Sequence, residues 1–160
     1  MLSGMETNQE EVRRALLVAE RAAAAPYIDY PASPAWFAPV SGLWFAALVG
    51  VFTWWRESVA VFVVALALLI ALEAGFFAWM RQRHGALPMP GTGTPPVEIG
   101  RIWRGYFAGC GVVITAVALV WWQFGVLPAA ATTFVLVASG LTWYERAYIS
   151  SAGAVRERLA

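Results

Sequence analysis

Four long apolar runs divide the chain, at about Trp36–Trp55, Ser58–Met80, Tyr106–Trp122 and Pro128–Tyr144. Each approaches the roughly 20 residues that a bilayer core requires. Lipid offers no water to backbone N–H and C=O groups, so these runs are predicted as helices. Alternating ten-residue strands of the kind a membrane barrel needs are not seen. Only Arg56–Glu57 separates the first two runs, and only Gln123–Leu127 the last two. Each pair therefore reads as an antiparallel hairpin. The expected fold is all-α: a polytopic membrane protein with four transmembrane helices in two hairpins, preceded by an N-terminal cytoplasmic helix. Its segments are 1–35 (helix and Pro-containing linker), 36–80 (first hairpin), 81–105 (cytoplasmic loop), 106–148 (second hairpin) and 149–160 (cytoplasmic tail).

Composition points the same way. Apolar residues make up 60% of the 160 and charged residues 13%, against roughly 45–50% and about 25% in ordinary globular chains. A soluble chain this small cannot bury so much apolar surface, so the excess is expected to face lipid. That excludes a soluble enzyme, a secreted disulfide module and a disordered tail.

The distribution of arginine sets the expected orientation. Lysine is absent, which we read as the codon usage of a GC-rich bacterial genome. Arg13, Arg14, Arg21, Arg81, Arg83, Arg101, Arg104, Arg146, Arg156 and Arg158 fall on one side of the spans, and Arg56 alone on the other. The positive-inside rule then places both termini and the central loop in the cytoplasm, in the cell (inner) membrane. Tryptophans mark both boundaries: Trp36, Trp79, Trp103 and Trp143 inside, Trp54, Trp55, Trp121 and Trp122 outside. A gapless shift of 67 residues matches Trp36 with Trp103, Gly42 with Gly109 and Trp54–Trp55 with Trp121–Trp122. An internal duplication of the hairpin produces that pattern, and so do aromatic belts at the ends of similar spans.

Net charge is +1, so no basic field for nucleic acid exists. One cysteine, Cys110, and one histidine, His84, make neither an internal disulfide nor a zinc site. No cofactor is expected. Met1–Ala25 is charged and lacks a continuous apolar stretch, unlike a cleaved signal peptide. It reads as a helix capped by Thr7 with Glu10 or by Asn8 with Glu11, supported by Glu10–Arg14, and closed by Pro26. Val12, Leu16, Ala19 and Ala23 mark one face, with Val12 and Leu16 as candidate partner-binding residues. The face suits either a docking helix, for a partner or for the chain's own loop, or a solvated or interfacial helix. Pro26–Pro39 reads as an extended linker, and His84–Gly100, rich in Pro and Gly, as irregular. Gly91-Thr92-Gly93-Thr94 lacks the Lys-Ser/Thr ending of a phosphate loop and follows no strand.

Glu73 is the anomaly. It lies eight residues before Arg81, about 12 Å into the span along the helix. An ionised carboxylate there is costly, so it should be protonated, paired or wet. No intramembrane cation is available, and Ser41, Cys110, Ser139 and Thr142 lie near its depth. The expected state is a neutral Glu73 bonded to a hydroxyl or a backbone carbonyl. It serves either as a proton or cation site or as an anchor between helices. Small residues at four-residue spacing (Gly42, Ala46 and Gly50; Ala71 and Gly75; Gly111 and Thr115) mark candidate packing seams. Cys110 between two glycines reads as a packing residue. Arg101, Trp103 and Arg104 form a candidate lipid-headgroup patch.

These features favour an accessory or regulatory subunit that binds a partner in or at the cytoplasmic face of the membrane. The alternative is a small homo-oligomeric proton- or cation-coupled transporter or channel using Glu73. No nucleophile motif or metal-ligand cluster suggests an enzyme. The expected partners are the lipid bilayer and another membrane protein or a second copy of the chain.

Overall fold

The computed structural model describes residues 3–29, 33–84, 90 and 93–159, with only the backbone of 3–8 and 83–84. The chain is all-helical, 88% helix, with no strand among the described residues. The helices are α1 (Ser3–Ile28), α2 (Phe37–Gly50), α3 (Val59–His84), α4 (Val97–Phe124) and α5 (Val126–Arg158), and a 3-10 turn at Val51–Trp54 ends α2. Four segments are long and apolar enough to span a membrane: α2 with its 3-10 turn, α3, α4 and α5.

Their outer faces carry many exposed apolar side chains. Leu43, Leu68, Leu72, Val112, Ile114 and Leu127 are each at least 60% exposed. Water-soluble monomers rarely tolerate such continuous apolar surface, whereas lipid imposes no penalty on it.

The α5 helix is the hub of the fold and packs along both α2 and α4. Small residues let the backbones approach. Ala38 and Gly42 on α2 are buried, as are Ala129 and Thr133 on α5. A Cβ on Gly42 would stand 3.0 Å from the Phe134 carbonyl oxygen and 3.1 Å from the Ala138 Cβ. The predicted seam is therefore real at Gly42. It does not extend to Gly50, Gly75 or Gly111, which face open space. The α4–α5 connection is a single residue, Gly125, whose N–H bonds the Trp121 carbonyl and whose φ of +87° is left-handed. Glycine reaches that conformation without steric cost.

The α3 helix presents a narrow stripe to the rest of the chain: Phe62, Leu66, Leu69, Glu73, Phe76 and Met80 are its less exposed positions along one face. The spacing of three and four residues is that of one helix side. It meets α2 through Trp44, whose indole N–H donates to the Leu69 carbonyl at 3.3 Å. Phe76 also stacks on Phe37 and meets Trp36 edge-on. Phe52 touches both Phe62 and Trp121 at 5.2 Å, which gathers Trp54, Trp55, Trp121 and Trp122 toward one end of the bundle.

Four helix boundaries differ from the sequence expectation. Pro26 does not close α1, which runs to Ile28. Proline there removes one helix hydrogen bond, while burial of Ile28 and capping of its carbonyl hold the last turn. The α1 helix also begins at Ser3, upstream of the caps expected at Thr7 or Asn8. The segment read as a tail is the last third of α5, and α4 starts at Val97 within the expected loop. Both extensions are stabilised by the cluster beneath α1. The expected motif at 91–94 lies largely outside the described residues, as does the His84 side chain.

Candidate functional site

Two places combine polar chemistry with structural specificity: the junction of α1 with the ends of α4 and α5, and the neighbourhood of Glu73.

At the junction, Ala24 and Ile28 of α1, Ile99 and Trp103 of α4, and Ala152, Val155 and Leu159 of α5 form one buried cluster. Ile28, Ile99 and Val155 are almost completely enclosed. Burying side chains of this size contributes roughly 1.5–3 kcal/mol each. The polar rim is reciprocal. Arg156 of α5 donates from Nε to the Ile28 carbonyl at 2.8 Å and from its terminal nitrogen to the same oxygen. Arg21 of α1 donates to the Leu159 carbonyl at 3.3 Å. Each helix thus supplies a cation to the other's C-terminal carbonyls, where the helix dipole is negative. Tyr148 donates its hydroxyl to the Tyr27 carbonyl at 2.8 Å. Arg158 lies 3.5 Å from both Glu20 and Glu98, joining three helices. These exposed pairs contribute little alone, about 0–1 kcal/mol each. Gly93 of the connecting loop sits directly against the Tyr27 hydroxyl at φ +72°, and any side chain would collide with it.

The junction holds only the C-terminal part of α1. Every residue from Gln9 to Ala23 is exposed. Val12 is 54% exposed and Leu16 65%, and Leu17 and Val18 are exposed with them. The predicted face of Val12, Leu16, Ala19 and Ala23 is not the one used within the chain. Docking uses Ala24 and Ile28, one helical turn apart. Among the charged residues, Glu10 and Arg14 pair at 3.9 Å along the helix.

Trp103 departs from its expected place at a lipid headgroup. It is buried in the cluster, edge-on to Tyr27. The Ile99–Trp103 face of α4 is covered by α1, which sequence spacing could not reveal. Arg101 and Arg104 are exposed and make no ion pair or hydrogen bond among the described residues.

Glu73 is half-buried and likewise forms no hydrogen bond or ion pair among the described residues, against the expectation of a bonded carboxyl. The hydroxyls near its depth are satisfied by their own helices. Ser139 donates to the Val135 carbonyl at 2.6 Å and Thr142 to the Ala138 carbonyl at 2.7 Å. Thr115 and Thr133 back-bond in the same way. Ser41 is on α2, and Cys110 lines a groove between α4 and α5. The predicted polar set is therefore not assembled into one constellation. Glu73 instead occupies one seat in the α2-facing stripe of α3, between Leu69 and Phe76. The described residues contain no cluster of three or more potential metal ligands.

Comparison with known proteins finds no matching family, no matching curated protein and no matching solved structure.

Proposed function

We propose that this chain is a small multi-pass membrane protein acting as an accessory or regulatory subunit, which grips a partner protein with the free part of α1. In this reading α2–α3 and α4–α5 are two membrane hairpins, with both termini and α1 at the cytoplasmic face of a bacterial inner membrane. The arginine asymmetry supports that orientation. One observation carries the functional reading: α1 is clamped at its C-terminal end by Arg156 and a buried cluster, yet exposed from Gln9 to Ala23, a stretch that reaches the end of α5 through Glu20 and Arg21. A rigid base holding out a helix with Val12, Leu16, Leu17 and Val18 uncovered suits helix-in-groove recognition.

A photocrosslinking amino acid placed at Leu16 tests it. The expected product is one cross-linked partner protein at unit stoichiometry, absent when the same probe sits at buried Ala24. Labelling of lipid alone from Leu16 overturns the reading and makes α1 an interfacial helix. A second reading rests on Glu73, which has no hydrogen-bond or ion-pair partner among the described residues. A carboxyl in that position supports proton- or cation-coupled flux in an oligomer. Glu73→Gln should then abolish flux in reconstituted vesicles, and unchanged flux would end that version.

A further inference from the structure

A groove runs along the face shared by α4 and α5, walled on one side by Phe45 and Val49 of α2, with a volume of about 510 Å³. Its floor is low because Gly105 and Gly109 on α4 and Gly140 on α5 contribute no side chains there. It extends from Gly105 to Trp121 along α4, about 24 Å at the helical rise, close to the thickness of a bilayer core. The lining is apolar along that length, a surface that a flexible hydrocarbon chain can follow from end to end.

The two ends differ. Trp121 lines one end. At the other, Trp143 and Tyr144 flank the opening, and the Trp143 ring lies 3.9 Å from where a Gly105 side chain would begin. Arg101 sits one turn before Gly105 and two before Gly109, on the same stripe of α4. Arg101 is exposed and has no hydrogen-bond or ion-pair partner among the described residues. A long apolar groove that ends at an aromatic rim, with an exposed cation one helical turn beyond it, fits one class of ligand. We infer that the groove binds one acyl chain of an anionic glycerophospholipid, with its phosphate at Arg101. This inference rests on the membrane reading above and not on the partner bound by α1. It extends the arginine patch by supplying a built slot for the lipid's tail.

The experiment uses the full chain in nanodiscs containing phosphatidylglycerol and phosphatidylcholine in equal amounts. Trace amounts of a phosphatidylglycerol carrying a diazirine on its acyl chain are included. Photolysis and peptide mapping should concentrate the label on Gly105–Trp121 and Thr133–Tyr144, several-fold above α3, which is more exposed to bulk lipid. Gly109→Leu fills the slot and should remove that enrichment, with Gly140→Leu as a second variant should the first fail to fold by circular dichroism. Arg101→Gln should keep the acyl label in place while reducing the preference for phosphatidylglycerol over phosphatidylcholine, read by competition, to about one. Label spread evenly over all four spans, or enrichment unchanged when the slot is filled, overturns the inference. Enrichment with no headgroup preference in the unaltered chain overturns the role of Arg101. Failure of the membrane reading itself appears separately, as a chain that does not enter the nanodiscs.

Discussion

The α2–α5 crossing offers the sharpest quantitative test of the packing. Gly42→Ala adds one methyl where the Phe134 carbonyl oxygen stands at 3.0 Å and Ala138 presents its backbone nitrogen at 3.2 Å and its Cβ at 3.1 Å. Backbone atoms of a packed helix cannot rotate out of the way as a flexible side chain would. The helices must separate, and overpacking of this kind costs about 1–3 kcal/mol. Gly50→Ala is the matched control. It lies on the same helix, and its added methyl meets nothing within 4 Å. Replacing a helical glycine by alanine there should contribute about 0.5–1 kcal/mol of stability. The helix-propensity gain is common to both variants, so they should differ by the overpacking cost, about 1–3 kcal/mol, with Gly42→Ala the less stable. Unfolding in mixed micelles of mild and denaturing detergent, followed by tryptophan fluorescence, measures both. Equal stabilities for the two variants would refute the close approach of α2 to α5 and with it the central place of α5.

Three further outcomes follow from the same contacts. Ile28→Ala removes an almost fully enclosed side chain and should weaken α1 docking by about 2–5 kcal/mol, seen as faster tryptic cleavage after Arg21 while the spans stay protected; unchanged cleavage would contradict the junction. Arg156→Ala should accelerate the same cleavage by uncapping the Ile28 carbonyl, and Arg156→Lys should restore it only in part because lysine lacks the forked guanidinium. Glu73→Leu removes a carboxylate that has no hydrogen-bond or ion-pair partner among the described residues, so the extracted monomer should unfold no earlier than the unaltered protein; a loss above about 2 kcal/mol would reveal a bonded carboxyl.

The four helices long and apolar enough to span a membrane were legible because length and apolarity together form a one-dimensional signal. Which helices pack on which was not. The short Arg56–Glu57 connection suggests that α2 packs mainly on α3, yet its principal partner is α5. The decisive feature, a glycine facing the Phe134 carbonyl, looks in sequence like every other membrane glycine. The same limit hid the α1 junction. Ala152, Val155 and Leu159 recur at spacings of three and four residues, and Ala24 with Ile28 does too, but both segments sit in polar, charged sequence. Val12 and Leu16 were conspicuous because they are large, and the buried face went unnoticed because half of it is alanine. Glu73 was visible as an anomaly in composition. Its lack of a partner is a property of three-dimensional placement, since each nearby Ser139 and Thr142 hydroxyl turns back to its own helix.

The most direct test of the central claim is the mass of the complex after gentle extraction from its native membrane, with every component identified, for the unaltered chain and for Leu16→Glu. The account predicts a stoichiometric complex with a second protein that the Leu16→Glu chain no longer forms while still inserting in the membrane. A monomer or a pure homo-oligomer in both cases would contradict it.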